Sequence, residues 1–225
     1  MAAASDLVAR AAQAALMRQL RLARQGRSML YPYIGRSARF EVWEHYPRHD
    51  VVDDSGRWQF YFHAHDPAEP DSARHPQEHG HIHLFRRSPQ GRLTHVAGLS
   101  LDARGLPLCW FATNQWVTGE RWQDATALLR HLPGIALRLR GPLAGAGLWL
   151  ADMVRVYEAP LRRMLQQRDA ALARHCARHR QSREQAWADR RVSVWSSHPV
   201  HWPQDALQAA GQDLSVPVHQ PRRDK

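Results

Sequence analysis

Two stretches of the chain alternate between apolar residues and histidine. The first stretch is WQFYFHAH (Trp58–His65), and the second is HGHIHLF (His79–Phe85). Because successive side chains of a β-strand point to opposite faces, each stretch predicts a strand with an apolar face and a histidine face. The histidines at alternate positions are His63, His65, His79, His81 and His83. The apolar residues of the opposite faces are Phe60, Phe62, Ile82 and Leu84.

The two predicted strands fit together as one antiparallel hairpin. Pairing His65 with His79 sets residues of the same kind opposite each other on both faces. The remaining opposed pairs are then His63 with His81, Tyr61 with His83, Phe62 with Ile82 and Phe60 with Leu84. Opposed Cβ atoms lie about 4.5–5.5 Å apart, so imidazoles of both strands can converge on one point. Residues 66–78 contain three prolines and predict an unusually long hairpin loop.

The remaining periodicity predicts an α+β fold, in which an antiparallel β-meander of about five strands has flanking α-helices that are mainly C-terminal. The other strands are predicted at Ala38–Tyr46, Leu93–Leu101 and Leu106–Thr113. Helices are predicted at about Ser5–Gln25, Glu120–His131, Leu143–Tyr157 and Pro160–Arg180. Thr118 is the predicted N-cap of the second helix, and RRVSVW (Arg190–Trp195) could add a short edge strand. We expect the helices to pack mainly on the apolar face of the hairpin.

These elements divide the chain into three parts. Residues 1–36 form an N-terminal helix and connector, and residues 37–200 form a single α+β domain with a histidine-rich sheet. Residues 201–225 are expected to be a peripheral and partly disordered tail.

Charge and composition narrow the range of partners. The chain has 31 Lys and Arg against 21 Asp and Glu, but the arginine-rich last helix has no interleaved aromatic residues for base stacking. We therefore expect a small-molecule or anionic ligand rather than nucleic acid. The most apolar run, Gly141–Ala151, is too short to span a bilayer, so no membrane segment is expected. The two cysteines are isolated and form no CxxC, which fits the cytoplasm.

Histidines clustered on one face of a sheet are typical of a transition-metal site. We predict that His63, His81 and His83 form its centre, with His65, His79 and Glu78 as further ligands or supporting partners. Imidazole nitrogen prefers zinc or iron to magnesium or calcium. The residues expected to border the pocket are Glu44, Glu78, Asn114, Trp116 and Glu120.

The residues leave several functions open. An open metal position with Glu44 or Glu78 as general base would give a metal-dependent hydrolase or oxygenase. Coordination saturated by four histidines would instead indicate a non-catalytic module. A polar surface or an anion pocket is a further interpretation of the same face.

Five sequence blocks resemble an uncharacterised bacterial family that is catalogued as a domain of unknown function. The blocks are FEVWEHYP, FYFHAH, EHGHIHLF, LDARGLPLCWFATNQWVTGE and LQQRDAAL. The resemblance spans Phe40–Trp195 and implies a bacterial, cytoplasmic protein without supplying an activity.

The shorter block HGHIHLF is similar to the histidine-triad signature of nucleotide hydrolases and transferases. That resemblance implies that the middle histidine, here His81, attacks a phosphorus atom. Gly80 departs from the apolar residue of the signature. The sheet also resembles cupin metal sites, but the glutamate that follows the cupin HxH pair at a fixed spacing is missing.

Overall fold

The computed structural model describes residues 2–35, 40–66 and 75–211. Its centre is one antiparallel sheet of six strands that neighbour one another in chain order. The strands are β1 (Tyr46–Val52), β2 (Trp58–Ala64), β3 (Gly80–Arg87), β4 (Leu93–Leu101), β5 (Pro107–Thr113) and β6 (Val194–Pro199). The predicted α+β meander is confirmed. It has one strand more than the five expected, because β6 returns from the C-terminal helices to pair with β5.

The helices flank this sheet, and most of them lie between β5 and β6 in the chain. They are α1 (Ala2–Ala23), α2 (Tyr31–Ile34), α3 (Gln115–Thr118), α4 (Ala125–Leu129), α5 (Ala144–Val156), α6 (Glu158–His179), α7 (Arg183–Trp187) and α8 (Gln204–Ala209). Short 3₁₀ turns cover Leu132–Gly134 and Gly141–Leu143. Within the described residues, no helix is both long enough and apolar enough to cross a membrane.

Two predicted boundaries are wrong. Of the helix predicted at Glu120–His131, only Ala125–Leu129 is α-helical, as α4, and its N-cap residue is Asp124. Thr118, the predicted N-cap, is instead the last residue of the short helix α3. The strand predicted at Ala38–Tyr46 begins only at Tyr46; residues 36–39 lie outside the described part. Before Tyr46, Trp43 has a φ of 67°, so the backbone there cannot continue as a regular strand.

The register predicted for the histidine hairpin is confirmed. In the structure His63 pairs with His81 and Tyr61 pairs with His83. Phe60, Phe62, Ile82 and Leu84 occupy the other face and are completely or almost completely buried. They share one core with residues of α1, α5 and α6, such as Ala12, Trp149, Met153 and Leu161. Burial of each large apolar side chain contributes about 1.5–3 kcal/mol, which fixes the histidines on the opposite face.

A β-bulge in β4 changes which residues face the histidines. Leu84 pairs with Ala97, but the next residue of β3, Phe85, pairs with His95, so Val96 is an extra residue. An extra residue reverses the alternation of a strand beyond the bulge. His95 therefore joins the face of His83 instead of the apolar face.

Candidate metal centre

Three imidazoles converge where β2 and β3 pair. His63 Nε2 and His83 Nε2 each lie 2.8 Å from His81 Nε2. A neutral ring nitrogen either donates or accepts a hydrogen bond, so His81 Nε2 cannot satisfy both neighbours at once. One cation that receives all three lone pairs would satisfy them together. We call this group the histidine trio, and it could hold a metal ion.

A chain of contacts through His95, the His95 relay, orients the ring of His83. Its Nδ1 lies 2.9 Å from Nε2 of His95, and Nδ1 of His95 lies 3.1 Å from the Thr113 hydroxyl. When His83 donates from Nδ1, its Nε2 keeps the lone pair that a metal requires. Periodicity alone missed His95, because without the bulge it belongs to the apolar face. A glycine inside the strand, Gly98, was the available hint, since such glycines often mark bulges.

The other nitrogen of His81 takes part in a second group. His81 Nδ1 lies 2.8 Å from Glu78 Oε1 and 3.1 Å from His65 Nε2. The Ser100 hydroxyl donates to the other carboxylate oxygen of Glu78. His65, Glu78 and His81 are together a second set that could hold a metal ion. We call it the carboxylate group.

Burial keeps the inner histidines neutral. Desolvation, followed by the neighbouring His81 and His95, lowers the pKa of His83 well below its ordinary value. Desolvation, with Arg168 and His81 adding to it, lowers the pKa of His95 to about 3. Both rings are therefore uncharged at pH 7, and the neutral imidazole is the form that binds a metal.

A cavity of about 360 Å³ opens onto both groups. This volume suits a small organic molecule, because ligand pockets commonly measure about 300–1,000 Å³. The aromatic residues of its wall are Trp43, Tyr61, Phe111 and Trp116. Phe111 lies across Gly98, where a Cβ atom would come within 2.1 Å of the ring. Gly98 thus allows the aromatic wall to sit 4.8 Å from the ring of His81.

His45 forms a carboxylate-bound pair at the cavity wall. Its ring stacks on Tyr61 at a centroid distance of 3.6 Å, and its Nδ1 lies 2.9 Å from Asp50 Oδ1. The Gln59 amide donates to the other oxygen of Asp50 at 2.6 Å. With Nδ1 on the carboxylate, Nε2 of His45 is the nitrogen left to accept a proton from a molecule in the cavity. Sequence reasoning placed Glu44, not His45, at the pocket.

Two predicted site residues lie apart from the cavity wall. His79 precedes β3, and its ring lies 5.7 Å from that of Phe40 and 6.5 Å from that of Phe62, on the apolar side. It belongs to neither candidate metal group. The alternation of side chains predicts a residue's face only within a regular strand, and His79 lies just before β3 begins at Gly80. Glu44 is exposed and is not among the residues that line the cavity.

The predicted residues after β5 are divided between two places. Trp116 lines the cavity, and its indole N–H donates to the Val192 carbonyl at 2.8 Å. Asn114 is fully buried and donates to the carbonyls of Ala186 and Val192, so it ties the end of β5 to α7 and to the chain that follows it. Glu120 lines an adjoining depression together with Asn114, and burial raises the pKa of its carboxyl group.

The fold and the site define an α+β protein whose antiparallel sheet carries a buried cluster of histidines and one glutamate beside a cavity. A family model described as "Domain of unknown function (DUF6969)" matches residues 9–200. The chain therefore belongs to this family. No curated protein and no solved structure matches the chain.

Proposed function

We propose that the chain is a metal-dependent hydrolase that acts on a small aromatic ester or amide. The observation that supports this proposal is the convergence of three Nε2 atoms, from His63, His81 and His83, at the wall of a cavity. Three protein ligands leave an open position for water or substrate, which is the arrangement of catalytic rather than structural zinc sites. Zinc or iron is the expected ion, because the donor atoms are imidazole nitrogens.

The residues around the trio fit such an ion. His83 and His81 both have an acceptor on Nδ1, namely His95 and Glu78. Acceptors in this position orient metal-binding imidazoles and make them better ligands. A divalent ion bound there supplies Lewis-acid activation of a water molecule or of a substrate carbonyl.

His45 is the proposed proton acceptor. Asp50 holds its Nδ1, and its ring centroid lies 6.2 Å from that of His63, beside the proposed ion. A histidine positioned by a carboxylate is a common general base, and proton transfer by such a group contributes roughly 10²–10⁴-fold to rate. Tyr61, Phe111 and Trp116 give the cavity walls that favour a flat, apolar substrate.

The other interpretations receive less support. Hydrogen-bonding neighbours occupy both nitrogens of His81, which disfavours the histidine-triad role of a nucleophile. An oxygenase would use the same trio to bind iron, but an oxygenase mechanism has no evident role for the His45–Asp50 pair. A non-catalytic binding module is the outcome if the metal-loaded protein turns nothing over. We also propose a cytoplasmic location, since Cys109 and Cys176 are both unbridged.

The test uses a panel of p-nitrophenyl esters and p-nitroanilides, with the metal-stripped and the zinc- or iron-loaded chain compared. We expect turnover only with metal, and His45→Gln should lower kcat roughly 10²–10⁴-fold. His49→Gln, at an exposed position of β1, is the matched control and should behave as the unchanged chain. Equal rates with and without metal across the panel would overturn the proposal.

A further inference from the structure

We propose that the cluster binds a second divalent ion and that the imidazole of His81 bridges the two. The first ion lies on the histidine trio, through Nε2 of His81. The second lies on the carboxylate group, through Nδ1 of His81, Nε2 of His65 and Oε1 of Glu78. This inference rests on the proposed function, because both ions share His81.

The three donor atoms of the second site have the separations that a small cation needs. The His81–Glu78, His81–His65 and His65–Glu78 donor distances are 2.8, 3.1 and 3.4 Å. Tetrahedral ligands with metal bonds of about 2.0–2.1 Å lie roughly 3.3 Å from one another. Only small shifts are therefore required. The two ions would stand roughly 6 Å apart, at opposite nitrogens of one ring.

The surroundings orient Glu78 toward this position. Its side chain is 2% exposed. The Ser100 hydroxyl donates to Oε2, and Oε1 faces His65 and His81. Ser100 pairs directly with His81 across β3 and β4, so the sheet register sets this contact. A carboxylate with so little access to water is stabilised when a cation lies beside it.

The second ion is reachable from the cavity. The cavity is lined by His65, Glu78 and Ser100, and the ring of Trp43 lies edge-on to that of His65 at 4.9 Å.

Binding of the second ion displaces one proton. In the singly loaded protein, Nδ1–H of His81 donates to Glu78. The second ion replaces that proton, which leaves to solvent, and the imidazolate then binds one ion at each nitrogen. No electron is transferred in this exchange.

The test is the number of ions retained by the full chain. The stripped protein is loaded with excess zinc or copper(II), desalted and analysed for metal content. We expect two ions in the unchanged chain and in His75→Ala, and one in His65→Ala, in Glu78→Gln and in His63→Ala. Doubly copper-loaded protein should lose most of its electron paramagnetic resonance intensity through coupling across the ring. His65→Ala should show one uncoupled copper.

The outcomes separate this inference from the proposed function. One ion that is lost in His63→Ala and kept in His65→Ala overturns the second site and leaves the first in place. No ion in the unchanged chain overturns both. Two ions that persist in both His65→Ala and Glu78→Gln place the second ion elsewhere and overturn the bridge. Circular dichroism identifies a variant that fails to fold, in which case the other carboxylate-group variant gives the count.

Discussion

Replacing His95 by alanine tests whether the bulge in β4 serves the proposed metal centre. His95 does not belong to the trio and would contact no ion. Its Nε2 lies 2.9 Å from Nδ1 of His83, and its Nδ1 lies 3.1 Å from the Thr113 hydroxyl. When His83 binds a metal through Nε2, His95 would accept the Nδ1–H of His83 and donate to Thr113. Without it, nothing in this relay holds the proton of His83 on Nδ1, and Nε2 then carries the proton for part of the time.

The expected loss can be estimated in two ways. Removal of a hydrogen-bond partner behind a metal-bound histidine typically lowers metal affinity about 10–100-fold. Such a factor corresponds to about 1.4–2.7 kcal/mol of binding free energy. The alternative estimate is the cost of leaving the buried Nδ1–H of His83 unsatisfied, about 1–3 kcal/mol. The two ranges agree, so we expect zinc affinity to fall 10–100-fold.

The assay is competition for zinc against a chromophoric chelator at pH 7.5. His175→Ala is the matched control, because His175 also bonds a side-chain acceptor, Asp189 at 3.1 Å, but lies on α6 outside both groups. It should bind zinc as the unchanged chain does. Thermal unfolding checks that both variants are folded. If His95→Ala binds zinc within about threefold of the unchanged chain, a folded variant refutes the proposed role of the relay.

Three further predictions concern stability. Gly98→Ala forces aside the phenyl ring of Phe111 and should lower the free energy of unfolding in urea by about 1–3 kcal/mol. Gly134→Ala, with open space around it, is the control and should lower it far less; equal losses would contradict this packing. Asn114→Ala loses a helix cap and two buried hydrogen bonds to carbonyl groups and should cost roughly 2–4 kcal/mol by the same measurement; a loss below about 1 kcal/mol would refute that role. The folded pKa values of His83 and His95 lie below the unfolded value, so the unfolded chain binds more protons in acid; the metal-free protein should therefore lose stability as pH falls from about 6.5 toward 3, and a flat profile would count against their burial.

The alternation of side chains made the hairpin predictable. Phe60, Phe62, Ile82 and Leu84 leave one register that buries all four, and that register sets His63 opposite His81. The α+β class followed from the order of strands and helices. These features depend on local pattern and on burial, both of which are readable from one sequence.

The parts that were missed depend on irregular backbone or on distant partners. The bulge at Val96 moves His95 between faces, and periodicity has no means of anticipating an extra residue. The pairing of His45 with Asp50 depends on irregular backbone, because His45 precedes β1 and the register of β1 shifts between Tyr46 and Val51. Asn114 looked like a pocket residue because it follows a strand, but its partners lie more than 70 residues further along the chain.

The most direct test of the central claim is calorimetric titration of zinc, iron(II) and copper(II) into the chain and two variants. His81 supplies a nitrogen to both candidate groups, whereas His75, before β3, belongs to neither. We predict that the unchanged chain and His75→Ala bind metal equally and that His81→Ala loses binding. Equal affinity in His81→Ala, or no binding by the unchanged chain, would contradict a metal centre on this sheet.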